Sequence, residues 1–149
     1  MSTSRHREIA CALIVDTKGR FLLQQRDNIL GILQPGKVGL FGGHREDGET
    51  YLQCVVREVQ EEISYSVPPD CFEHLVTYDG VEMDADGGTV RGEFFIVRDV
   101  PAEALVVTEG SLLILPPDEV ATLEHKLAPS TQVAIKAWSD MQAARTASR

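Results

Sequence analysis

Cysteine is scarce and unpatterned in this chain of 149 residues: Cys11, Cys54 and Cys71 are odd in number, far apart and without a CxxC pair. That argues against a disulfide framework or a zinc site and favours reduced thiols packed as small hydrophobes. No apolar run approaches the ~20 residues that a helical membrane span needs. The opening residues, Met1 to Glu8, have no signal-peptide core behind them, so the expected location is cytoplasmic. Cations are short as well: Lys and Arg number 14 against 23 Asp and Glu, a net charge of -9. Long nucleic acid is therefore a poor partner, because its phosphate backbone is bound by a basic footprint. A single nucleotide stays open as a ligand, with metal bridging its phosphates.

Repeats and low-complexity tracts are also missing. Hydrophobic content of 43% and charged content of 25% are those of a globular protein. The expectation is one domain over 1–149, with frayed ends at 1–6 and 145–149. Ile9 to Val15 reads as a buried strand, Thr17 to Arg20 as a turn and Phe21 to Gln25 as the second strand of a hairpin. The segment from Arg26 to Lys37, broken by Gly31, Pro35 and Gly36, reads as a loop, and Val38 to Phe41 as a short strand. Cys71 to Met83 and Val90 to Val97 form a long hairpin about the turn Asp84 to Gly88. Asp99 to Val107 connects to a strand at Leu112 to Leu115, followed by a helical turn up to Leu123. A last helix starts near Pro129 and runs to about Ala144, with Ala134, Trp138 and Met141 as its apolar stripe. Trp138 on that stripe reads as core, not as a base-stacking platform.

The densest information lies between Gly42 and Tyr65. Gly42-Gly43 opens a glycine-rich turn that lets backbone approach backbone or ligand. A helix follows: Thr50 and Gln53 have capping-box spacing, and Leu52, Val55, Val56, Val59 and Ile63 recur as one apolar stripe. Glu58, Glu61 and Glu62 then fall on the opposite side, with Cys54 toward Glu58 and Glu61. Three carboxylates at this spacing repel by a few tenths of a kcal/mol per pair. A solvated acidic face would carry them; so would a hard divalent cation such as Mg²⁺ or Mn²⁺ shared with phosphate oxygens. Gly36-Lys37-Val38-Gly39 lacks the GxxxxGK[ST] pattern and is not a phosphate loop of that kind.

Gly43, five residues, Glu49, seven residues, then Arg57-Glu58-Val59-Gln60-Glu61-Glu62-Ile63-Ser64-Tyr65 resembles the signature of Nudix hydrolases. Two positions depart. Ser64 stands where the family has a glycine, and Phe41 where many members have proline. A left-handed Ser64 costs about 1 kcal/mol relative to glycine. The resemblance implies an α/β fold, an α/β/α sandwich around a mixed β-sheet. It implies that Glu58, Glu61 and Glu62, with the Gly43 carbonyl, hold Mg²⁺ (Mn²⁺ as substitute), one glutamate also serving as general base. It gives Arg57 the task of orienting a carboxylate, with Glu49 tying loop to helix. A further metal-binding acid is expected from the second half: Glu109, followed by Gly110, or more weakly Glu93. Beside the site, His44, Arg26 and Arg45 are candidate substrate contacts, each weighed against plain surface charge.

The function implied is hydrolysis of a diphosphate linkage in a nucleoside diphosphate derivative, releasing a nucleoside monophosphate and the remainder. The substrate is a nucleoside triphosphate or a nucleotide sugar, with Glu109-Gly110 leaning to the triphosphate. The alternative class is a non-catalytic nucleotide sensor, which loss of box carboxylates would signal; here all are present. Many relatives are dimers, so the resemblance extends to a homodimer.

Overall fold

Burial on both faces marks the central strand. In β1 (His6–Asp16), Ala10, Ala12 and Ile14 belong to one core cluster while Ile9, Cys11 and Leu13 belong to the other. Such a strand must lie between two helical layers. The computed structural model describes residues 5–147. In it β1 pairs antiparallel with β2 (Phe21–Gln25) through Ile14↔Leu22 and parallel with β6 (Thr89–Val100) from His6↔Thr89 onward. β5 (Glu73–Val81) pairs with β6, while β3 (Val38–Gly39) and β7 (Ser111–Leu115) pair with β2. The sheet is mixed, as expected.

One face is covered by α1 (Tyr51–Ile63), which buries Cys54, Val55, Val59 and Ile63. Each large aliphatic among them stabilises by roughly 1.5–3 kcal/mol relative to exposure. After the short helix α2 (Val120–Leu123), the other face is covered by α3 (Pro129–Ala147), with Thr131, Ala134 and Ile135 buried. Trp138 meets Phe21 edge-on at 5.0 Å between ring centroids, which places it in packing. Helices on both faces complete the α/β/α sandwich.

Several expectations need correction. The strand expected over Val38 to Phe41 breaks at Leu40, and Phe41–His44 forms its own strand, β4. Gly42 and Gly43 therefore sit in a ladder, opposite Cys11 and Ala10, and not in a turn. Their requirement is close approach: a Cβ on Gly42 would lie 2.2 Å from the Ala10 carbonyl oxygen. The α1 stripe is rolled as well. Leu52 is 37% exposed while Cys54 is fully buried. Cys54, Glu58 and Glu62 follow one another at intervals of four, a single row of the helix. Glu62 thus borders the buried face and does not oppose it.

β6 runs three residues beyond the expected Val97, because its parallel ladder with β1 continues to Asp16↔Val100. At the ends, His6 already pairs with Thr89 and α3 persists to Ala147. The remainder of the expected frayed ends, 1–4 and 148–149, lies outside the described residues.

Candidate active site

The start of α1 is fixed before any site chemistry. Thr50 accepts from the Gln53 backbone N–H, and Gln53 returns a bond to the Thr50 N–H, a complete capping box. Its end is fixed by Ser64, which adopts the left-handed conformation at φ 52° and donates its N–H to the Gln60 carbonyl. Between these caps the Cys54–Glu58–Glu62 row lies against the glycines of β4. The Cys54 thiol donates to the Gly43 carbonyl at 3.5 Å. Burial pushes that thiol up to about 12, so it is inert packing and no nucleophile. The Glu58 carboxyl occupies the space that a side chain on Gly43 would need, its Cδ lying 2.5 Å from an added Cβ.

Glu62 accepts the Gly42 backbone N–H at 2.7 Å. Burial pushes the Glu62 carboxyl up to about 8 against that hydrogen bond, and the charges of Glu58 and Glu109 push the same way. Arg57 is a three-way clamp. Its Nε and one terminal nitrogen donate to Glu49 at 2.7 and 2.9 Å, the other to Glu58 at 2.8 Å. The Arg57 guanidinium and the Glu46 N–H hold the Glu49 carboxyl down to about 2. Glu61 stands apart: its side chain is 64% exposed, 3.8 Å from Arg57, and does not line the cleft.

The second half of the chain delivers Glu109 to this place. The connector before it is stitched to the end of α1, where Val106 and Thr108 donate to the carbonyls of Ile63 and Glu62. Gln24, only 2% exposed in β2, donates to the Glu109 carbonyl at 3.0 Å. Gly110 at φ 65° packs where a Cβ would meet the Gln25 carbonyl at 2.3 Å. Glu58, Glu62 and Glu109 therefore line one cleft of about 450 Å³. Glu93 does not reach it. His74, Thr77 and Arg91 bind its carboxylate away from the cleft.

A family model described as NUDIX domain matches residues 4–144. The chain belongs to the NUDIX domain family. It is 28% identical over 109 residues to Nudix hydrolase 3 of Arabidopsis thaliana. That match takes in 68% of this chain and 14% of the plant protein, so the chain spans about a seventh of its curated relative. Among solved structures, the MutT protein from Methanosarcina mazei Go1 is similar at TM-score 0.77 and 20% identity, covering 97% of this chain and 99% of that one. The E. coli ORF135 protein is similar at TM-score 0.73 and 24% identity over 95% and 94%. The NUDIX domain of Shewanella oneidensis NrtR complexed with ADP ribose is similar at 0.73 and 20% over 94% and 90%. At these identities the likeness is one of fold.

Nudix hydrolases generally use divalent metal ions, and the donors of this NUDIX domain suit one. They are hard oxygens, and the Glu62 carboxyl has its charge disfavoured by burial until a cation compensates it. Among the described residues no three acidic, His or Cys side chains stand close enough together to hold an ion. The fit is one of donor chemistry.

Of the expected substrate contacts, Arg26 donates to neutral acceptors, the Leu33 carbonyl at 2.7 Å and Gln24 Oε1 at 3.2 Å. Arg45 is committed to Glu8 at 2.7 Å and to the Glu49 carbonyl at 2.8 Å, lying over the Tyr51 ring. His44 Nε2 stands 3.2 Å from Arg7. Arg7, ion-paired with the buried Glu82, lines the cleft with Asp84, Gln34 and Ser130, and sequence reasoning missed all of them. They come from separate segments, so no spacing could reveal them. Asp84 ties these walls together, accepting from the Ser130 N–H through its carboxylate and from Gln34 through its carbonyl.

Proposed function

We propose that this NUDIX domain is a Mg²⁺-dependent pyrophosphohydrolase that cleaves a diphosphate linkage in a small nucleoside diphosphate derivative. The observation that carries the reading is the Glu58–Glu62–Glu109 group in one cleft, with Glu62 fixed on the Gly42 N–H. Glu58, Glu62 and Glu109 are the proposed ligands of Mg²⁺ or Mn²⁺, with the Gly43 carbonyl completing the set and Glu61, which does not line the cleft, left as an outer carboxylate. Bound there, the ion neutralises diphosphate charge and lowers the pKa of water.

A glutamate of the group takes the proton from the attacking water, which adds in line at phosphorus while the anhydride P–O bond breaks toward the departing phosphate. Arg57 does not touch substrate in this scheme; it holds Glu58 in place through a fork shared with Glu49. Arg26 meets the phosphates, its present partners being uncharged. His44 and Arg45 are proposed contacts at the rim.

A binding module without turnover is the alternative. It draws on the capture of ADP ribose by the NrtR NUDIX domain. The test is a phosphate-release screen with Mg²⁺ or Mn²⁺ over nucleoside triphosphates, nucleotide sugars and dinucleotides, repeated with Glu62→Gln. Turnover lost in the variant supports the enzyme. A blank screen in which nucleotides still raise the melting temperature supports the binding module.

A further inference from the structure

Arg26 and Glu109 belong to two cavities at once. They form part of the wall of the cleft of about 450 Å³, and they also line a second cavity of about 260 Å³ bordered by Asp27, Ile29 and Ile32. The second is smaller than the ~300–1,000 Å³ pocket of a drug-sized ligand, and suits a single ring. We infer that the substrate carries an organic group on both ends of its diphosphate, as in a nucleoside diphosphate sugar, and is not a nucleoside triphosphate. This rests on the pyrophosphohydrolase reading and narrows it.

Charge supports the narrower class. Three arginines and five carboxyl groups line the main cleft, a formal net charge of -2. Two of the arginines are spent: Arg7 on Glu82 and Arg45 on Glu8. Arg26 is left as the cation whose partners are neutral. A terminal phosphate carries close to two negative charges at pH 7, while a phosphate esterified on both sides carries about one. One divalent cation on Glu58, Glu62 and Glu109 would bring that sum only to zero, while a triphosphate would bring roughly four negative charges and a diphosphate conjugate about two.

The second cavity sharpens the contrast. With the diphosphate at the shared Arg26–Glu109 wall, whatever follows it enters a space bordered by a carboxylate and two isoleucines, Ile29 being 56% exposed. A free phosphate there would face Asp27 with Arg26 as its cation. A sugar would lay C–H surface on the isoleucines and keep its hydroxyls toward Asp27 and Gln24.

The experiment measures kcat/KM with Mg²⁺ for ADP-ribose, UDP-glucose and GDP-mannose against ATP, UTP and GTP. It is repeated in Ile32→Trp, which fills the second cavity, and in Ile29→Glu, which adds charge at an exposed position. The best conjugate should exceed its matching triphosphate at least tenfold, and both variants should raise its KM at least fivefold at unchanged melting temperature. Higher kcat/KM for the triphosphates, or KM unmoved in both variants, overturns this inference while the hydrolase reading stands. If no compound is turned over, calorimetric binding decides. Conjugate binding weakened by Ile32→Trp supports the two-cavity assignment and sinks turnover alone, whereas absent or unaffected binding overturns the assignment.

Discussion

The Glu62 carboxylate and the Gly42 backbone N–H are joined at 2.7 Å, a bond that ties the last acid of the α1 row to the glycine strand β4. It makes the position of a site carboxylate depend on a sheet register. Glu62→Gln keeps the acceptor oxygen and removes a charge that burial and Glu58 disfavour. Without metal its melting temperature should equal or exceed that of the parent, while turnover drops by about 10²–10⁴-fold. A clear fall in melting temperature would mean that the charge itself holds β4.

Gly42→Ala should be among the most damaging single substitutions. Its Cβ would strike the Ala10 carbonyl at 2.2 Å and the Cys11 Cα at 2.6 Å, both backbone atoms of β1. The expected loss is about 2–4 kcal/mol by denaturant unfolding. Gly48→Ala, also at positive φ but with open space around it, should lose only about 1 kcal/mol. Equal losses would show that conformation and not close approach sets the need for glycine.

Arg57→Lys keeps the charge and loses the fork that binds Glu49 twice and Glu58 once. We expect kcat to fall about 10–100-fold with KM changed far less, since Arg57 orients a carboxylate instead of holding substrate. A rise in KM at constant kcat would place Arg57 on the substrate.

Ser64→Gly relieves a side chain held in the left-handed region at φ 52°. Stability should rise by about 0.5 kcal/mol, less than the full conformational gain because glycine also loosens the unfolded chain. Differential scanning calorimetry would show it as a small upward shift; a downward one contradicts the cap.

Asp16 gives a stability dependence on pH far from the site. Burial raises its carboxyl, but bonds from the Arg20 N–H and side chain and the Lys18 N–H outweigh that and hold it below the usual range. A carboxyl depressed by folding contributes stability that is present above the unfolded pKa, near 3.9, and is lost as pH falls through the folded value. Asp16→Asn should therefore lose stability at pH 7 and converge on the parent at low pH. A constant gap at all pH values would show that the turn needs shape alone.

Local chemistry was legible in the residues themselves. The Thr50–Gln53 box, the left-handed Ser64, the β1–β2 hairpin and the carboxylate spacing each depend on neighbours a few positions away, and each stands where the sequence puts it. The roll of α1 was not legible. Leu52 and Cys54 compete for the sheet, and the glycines of β4 decide in favour of Cys54 by letting the helix row of Glu58 and Glu62 lie close. The sequence ranked Glu109 above Glu93 but could not place either, since both lie far along the chain from α1. Gln24 and the end of α1 draw the Glu109 loop to the cleft, while Arg91, His74 and Thr77 hold Glu93 elsewhere. The sequence by itself determined which carboxylates can share a helix face, because a helix repeats every few residues. Only the tertiary structure decided which of them meet an acid, an arginine and a cavity from distant segments, because those meetings are set by strand register and packing.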